Sequence, residues 1–149
     1  MARQRDVGDK PRVHRRAIAA GELRTTAATR RAIRGRRVEK GDPIMAGELA
    51  GLLAMKRTSE LIPHCHSVPL TASSVDLELS RRGVRVRVEA ETIDRTGVEM
   101  EALVGASVAL LTVWDMVKYL EKNARGLYPA TSLGPVRVVT KVKSRKEAS

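Results

Sequence analysis

The chain has 149 residues, enough for one domain of ordinary size, and a net charge of +11. Residues 1–40 hold 13 basic against 4 acidic side chains and residues 135–149 hold 5 against 1, so the basicity sits at the two ends of a nearly neutral body. One cysteine, Cys65, excludes an internal disulfide framework and a cysteine-rich zinc module, and three aromatics (Trp114, Tyr119, Tyr128) leave no stacking platform for single-stranded nucleic acid.

Residues 1–11 are charged and punctuated by Gly8 and Pro11, which reads as a flexible basic end. No apolar run follows the first six residues, so no secretory leader is expected. Val13 to Ala19 reads as a strand. Gly21 then opens an Ala-rich basic stretch to Ile33, read as a helix ending at Gly35. Lys40-Gly41-Asp42 is a loop, and Pro43 suits the first turn of a helix running to about Lys56. Thr58 to Ile62 is a further short turn stopped by Pro63. Val75, Leu77 and Leu79 alternate with polar residues, as do Val84, Val86 and Val88 after Arg81-Arg82-Gly83, which predicts a hairpin with one buried face. A long helix follows from about Val98 to Asn123, rich in small residues at its middle. A Val-rich strand from Leu133 to Val142 comes last, and residues 143–149 read as a second basic end.

The order predicts an α+β fold over residues 1–149 as a single domain, with helices packed on one face of a mostly antiparallel sheet. The longest uncharged apolar stretch, Ala102 to Trp114, is 13 residues against the roughly 20 of a spanning helix, so no membrane partner is expected. The lone thiol suits a reducing cytoplasm.

Three places concentrate polar chemistry. His64-Cys65-His66 lies between two prolines, and in an extended segment both imidazoles point one way and the thiol the other. The pair is open to metal ligation, to recognition of a phosphate or base, to proton transfer, or to no chemistry. For metal, only His14 remains among the histidines and a closed site would need carboxylates. Asp115 and Lys118 are helix neighbours at i, i+3, and most isolated pairs of this kind are surface ion pairs worth a few tenths of a kcal/mol. Asp115 follows Leu110-Leu111-Thr112-Val113-Trp114, however, so partial desolvation is expected there. Glu99 and Glu101 open the same helix, where carboxylates suit the macrodipole. Fourteen residues separate Glu101 from Asp115, roughly 21 Å along a helix axis. One chain therefore does not close both clusters around one small ligand: if both are functional, either the substrate is long or the sites are composites between subunits. The arginines Arg30, Arg31, Arg34, Arg36 and Arg37 suit a sequence-blind phosphate-backbone contact, but such runs are most often solvated faces, and they leave the carboxylates unexplained.

Several strings occur in an order that resembles one enzyme family. They are Lys40-Gly41-Asp42, Ala50-Gly51, Lys56-Arg57-Thr58, Leu61-Ile62-Pro63-x-Cys65-His66, Thr96-Gly97-Val98-Glu99-Met100-Glu101-Ala102-Leu103, Ala106-Ser107-Val108-Ala109 and Asp115-Met116-x-Lys118. Together they resemble the cyclic pyranopterin monophosphate synthases, the molybdenum-cofactor biosynthesis protein C family, over about residues 6–142. The resemblance implies a ferredoxin-like subunit in a homohexamer built as a trimer of dimers, with active sites between subunits and no nucleic-acid partner. It implies a nucleotide-derived substrate, 3′,8-cyclo-7,8-dihydroguanosine 5′-triphosphate, converted to cyclic pyranopterin monophosphate with release of pyrophosphate. It implies Asp115, Lys118 and Lys40 as catalytic residues, and His64, Cys65, His66, Glu99, Met100 and Glu101 as substrate-binding. No tightly bound cofactor is expected; Mg²⁺ would arrive with the substrate phosphates. Glu48 and Arg95 stand where the family often has Arg and Lys. The family's C-terminal Gly-Gly-Lys-Ser is absent, leaving Lys141 or Lys143 to supply its lysine.

Overall fold

The computed structural model describes residues 1–144. Strand β1 (Val13–Arg24) is followed by helices α1 (Ala27–Arg34), α2 (Pro43–Lys56) and α3 (Thr58–Leu61). The hairpin β2 (Ala72–Leu79) and β3 (Gly83–Asp94) comes next, then the long helix α4 (Glu99–Glu121), then β4 (Ser132–Leu133) and β5 (Arg137–Ser144). The sheet runs β2-β3-β1, with β4 and β5 sharing the outer edge of β1, and every pairing is antiparallel. This α+β arrangement matches the strand order of a ferredoxin-like βαββαβ plan.

The expected hairpin forms in register, with Val75 opposite Val88 and Leu77 opposite Val86. The stretch after Ala19 differs from the expectation. β1 continues to Arg24, because Gly21 to Arg24 pair with Gly83 to Val86 on one side, and Leu23 and Arg24 pair with β4 on the other. Two partner strands override an Ala- and Gly-rich local preference, and the helix starts only at Ala27, capped by the Thr26 side chain. At the far end, Lys143 and Ser144 belong to β5, opposite Arg15 and His14, rather than to a flexible end. The rest of that expected end, residues 145–149, lies outside the described residues.

The core is one apolar layer between sheet and helices. Ala17, Ala19 and Leu23 of β1 and Val84, Val86, Val88 and Ala90 of β3 meet Ala102, Ala106, Ala109, Leu110, Val113 and Val117 of α4. α4 is long and apolar enough by length and composition to cross a membrane, but 56% of its most apolar 18-residue window is buried inside the fold. A central helix covered by a sheet acquires such a composition without any bilayer. α2 crosses α4 where both are thinnest. A β-carbon at Gly47 would sit 2.5 Å from Leu77 Cδ1 and 3.0 Å from the Ala109 carbonyl oxygen, and one at Gly51 would sit 3.0 Å from the Gly105 carbonyl oxygen. The two helix backbones are therefore in contact. Glu48 uses its carboxylate to accept the Leu77 backbone N–H at 3.0 Å, tying α2 to the edge strand. The opposite face of the sheet is polar: Arg16 pairs with Glu89 at 2.5 Å, and His14 meets Glu91 at 2.8 Å.

Candidate active site

At the C-terminal half of α4, three expected residues meet. Gly41, at φ 103, turns the chain in a conformation that glycine adopts readily. Asp42 then caps α2, its carboxylate accepting from the backbone N–H of Ile44 at 2.9 Å and of Met45 at 3.2 Å. The loop is pinned to α4 from the other side, where the Glu39 backbone N–H donates to the Tyr119 hydroxyl at 2.9 Å. Lys40 is thereby aimed along α4. Its ammonium donates at 3.1 Å both to the Asp115 carboxylate and to the Asp115 carbonyl oxygen. Lys118 pairs with the other carboxylate oxygen at 2.7 Å.

The result is a carboxylate clamped between two ammonium groups, open to solvent, with the Asp115 side chain 57% exposed. That corrects the expected desolvation. Ala106, Ala109, Leu110, Val113 and Val117 define the buried stripe, and Asp115, two residues beyond Val113, lies about 200° around the helix from it. The ion pairs set the protonation states. Lys118 and then Lys40 hold the Asp115 carboxyl below the usual carboxylate range, and Asp115 holds the Lys118 ammonium above the usual lysine range. The pair stays ionised through neutral pH instead of exchanging a proton there.

The second cluster forms at the N-terminus of α4. Glu101 is 2% exposed. One carboxylate oxygen accepts from the Cys65 thiol at 3.8 Å; the other is buried and has no hydrogen-bond partner among the described residues. Burial pushes the Glu101 carboxyl up, only partly offset by its own first-turn amide and the thiol. Burial and the neighbouring Glu101 push the Cys65 thiol up as well. Glu99 stands beside them in an ion pair with Lys141 of β5. Burial opposes the ionisation of Glu99, but Lys141, with a contribution from Arg15, holds its carboxyl below the ordinary range. Met100, between the two glutamates, is exposed.

His64 and His66 lie on the other side of Cys65. The thiol faces Glu101, while both rings donate to the N-terminal segment: His64 Nδ1 to the Arg3 carbonyl and His66 Nε2 to the Arg5 carbonyl, each at 2.7 Å. The alternation read from the sequence holds, through a turn closed by the Cys65 N–H on the Ile62 carbonyl rather than through a regular strand. Among the described residues no three His, Cys, Asp or Glu side chains come together as a metal-binding group.

Nine expected site residues thus fall into two places on one helix. Lys40, Asp115 and Lys118 form one. Glu99, Met100, Glu101 and Cys65 form the other, with His64 and His66 behind. Two further residues enter the second place. Lys141, one of the two lysines left open, is the partner of Glu99. Arg15, absent from the expected set, anchors through the carbonyls of Asp94 at 3.1 Å and Arg95 at 2.9 Å while its charge acts on Glu99. Its only sequence signal was its place in the basic N-terminal third.

The MoaC family model matches residues 4–144. This chain belongs to the MoaC family. Among relatives, the "Probable cyclic pyranopterin monophosphate synthase" of Archaeoglobus fulgidus is 49% identical over 142 residues, covering 95% of this chain and 91% of its own length. The protein of the same name in Methanosarcina acetivorans is 49% identical over 142 residues, covering 95% and 90%. That of Pyrococcus furiosus is 45% identical over 141 residues, again covering 95% and 90%. The match to the MoaC family spans both clusters and Arg5, whose carbonyl meets His66, and begins one residue after Arg3.

Proposed function

We infer that this chain is a cyclic pyranopterin monophosphate synthase, a lyase of molybdenum cofactor biosynthesis. It converts 3′,8-cyclo-7,8-dihydroguanosine 5′-triphosphate to cyclic pyranopterin monophosphate and releases pyrophosphate. The observation that carries the site is the convergence of Lys40 on Asp115, 75 residues away, beside Lys118. Two ammonium groups around one carboxylate leave a net positive charge facing solvent, which suits phosphate oxygens and a departing pyrophosphate.

The protonation states divide the labour. Lys118, held protonated, serves charge rather than proton donation, and Asp115 fixes the direction of both lysine donors. Proton transfer to and from the rearranging ring falls to Glu101, whose raised pKa and unpartnered oxygen suit an acid–base group. Glu99, Met100, Cys65, His64 and His66 contact the substrate around it, with Lys141 and Arg15 supplying positive charge. Mg²⁺ comes in on the triphosphate, with no resident metal.

The working unit in this proposal is a homohexamer, a trimer of dimers in the cytoplasm, with each site shared between subunits. Two observations support it. The clusters are separated by fourteen residues of α4, roughly 21 Å from Glu101 to Asp115. Met45, Leu49 and Leu53 also form an exposed apolar stripe at i, i+4, i+8 on α2, with Leu111 of α4 exposed as well. A second copy is the occupant that both covers such a stripe and completes the site.

The test is direct. The purified chain, given the cyclised GTP intermediate, should produce pyrophosphate and the cyclic monophosphate in equal amounts. No product, while the Archaeoglobus fulgidus relative turns over the same substrate preparation, would refute the assignment.

A further inference from the structure

The N-terminal segment meets the histidine loop with a matched spacing. Arg3 and Arg5 are two apart, His64 and His66 are two apart, and each ring donates at 2.7 Å to one carbonyl. Two carbonyls two residues apart on the segment thus meet two rings two residues apart on the loop. The base of the segment is fixed. The Asp6 carboxylate accepts the Gly8 N–H at 2.8 Å, the Lys10 N–H donates to the Val7 carbonyl at 3.0 Å, and Arg12 donates to the Ile93 carbonyl at 3.1 Å.

The consequence lies in the ring nitrogens. In a neutral ring, donation from Nδ1 is the tautomer that free imidazole favours less and leaves His64 an acceptor at Nε2, while donation from Nε2 leaves His66 an acceptor at Nδ1. Cys65 between them faces Glu101, so strap and carboxylate lie on opposite sides of the same three residues. We propose that residues 1–6 are a strap whose Arg3 and Arg5 carbonyls fix the tautomers of His64 and His66, so that each ring presents one acceptor nitrogen to the substrate. Arg3 and Arg5 are then positioning residues, acting through backbone rather than charge. The substrate clause of this proposal rests on the synthase reading above; the tautomer clause does not.

The ¹⁵N shifts of the two imidazoles in the full chain should report Nδ1–H for His64 and Nε2–H for His66. A variant lacking residues 1–6 should return His64 to the Nε2–H form and raise KM about tenfold with kcat within about twofold, as expected for mispositioned binding groups. A single glycine inserted after Gln4 changes the spacing of the carbonyls and should leave at most one ring fixed. The double variant Arg3→Ala, Arg5→Ala keeps both carbonyls and should keep both shifts. The proposal is overturned by Nε2–H at His64 in the full chain, by an unchanged His64 shift after removal of residues 1–6, or by loss of Nδ1–H at His64 in the double alanine variant. The shifts need no turnover, so failure of the strap and failure of the synthase reading are told apart.

Discussion

Glu101 invites a substitution that should strengthen the fold and end the chemistry. Its side chain is 2% exposed, one oxygen has no partner among the described residues, and the carboxylate is met only by the weak Cys65 thiol donor and its own first-turn amide. A buried polar atom left unsatisfied costs about 1–3 kcal/mol. Glu101→Met keeps the length of the side chain and removes both oxygens. The variant should therefore gain about 1–3 kcal/mol at pH 7, or about 2–4 °C in Tm for each kcal/mol at this chain length, while losing turnover. The gain should depend on pH in one direction. The folded carboxyl titrates above its unfolded value of about 4.3. Between those two values the native state holds the extra proton, so the wild type loses stability as pH rises through that window. Denaturant unfolding at a series of pH values, with the intermediate-turnover assay alongside, reads both effects. The Met variant should gain little below pH 4 and most at neutral pH. A variant less stable than wild type at pH 7, or an advantage indifferent to pH, would refute the burial argument.

Three more outcomes follow from the same geometry. Asp115→Asn and Lys118→Ala should each lower kcat by about 10²–10³, the effect of removing a positioned charge donor, with unchanged circular dichroism; near-wild-type kcat in either removes that residue from the site. Glu101→Gln and Asp115→Asn, each strongly impaired alone, should recover well above either variant's residual activity when dissociated and reassembled together, and verified mixed oligomers without that gain would mean that both residues serve the site from one chain or that the sites are not composite. Glu121 is 5% exposed and accepts from Thr26 N–H and Oγ1 at 2.9 Å and from Thr131 Oγ1 at 2.5 Å. Burial works against its charge, but those donors hold its carboxyl below the ordinary range. Its contribution is present above about pH 4.3 and fades as pH falls through the lowered native value, so Glu121→Gln should cost about 1–3 kcal/mol at neutral pH and little near pH 2; an equal cost at both refutes it.

Period-2 alternation was enough to place the hairpin, because β2 and β3 are adjacent in sequence and pair with each other in register, and the small-residue run marked the long helix, which packs closely against α2 and the sheet. The stretch from Gly21 to Arg24 was not legible, since its strand state comes from β3 and β4, which are distant in sequence. The same division runs through the site. Lys40-Gly41-Asp42 announces a loop and a helix cap, and the family strings named Asp115 and Lys118, but the convergence of Lys40 depends on how α2 crosses α4. The exposure of Asp115 was within reach: the apolar run before it suggested burial, yet its angle from Val113 and Val117 points it outward. Nothing local marks Lys141 as the partner of Glu99, because that contact is made by the register of β5 on β1.

The glycine crossing of α2 and α4 acts as a length standard for the clamp on Asp115. Lys40 precedes α2 by only three residues, so the gap between the helix axes determines how far its ammonium can reach. Alanine is worth about 1 kcal/mol over glycine in a helix interior, and a search for stabilising changes would select Gly47 and Gly51 first. At these two positions the added methyl would meet Leu77 or the Gly105 carbonyl and wedge the helices apart. In the proposed site, a stability-driven drift of this sequence would be opposed by a distance requirement located elsewhere, so the thin crossing would serve the clamp as well as the packing.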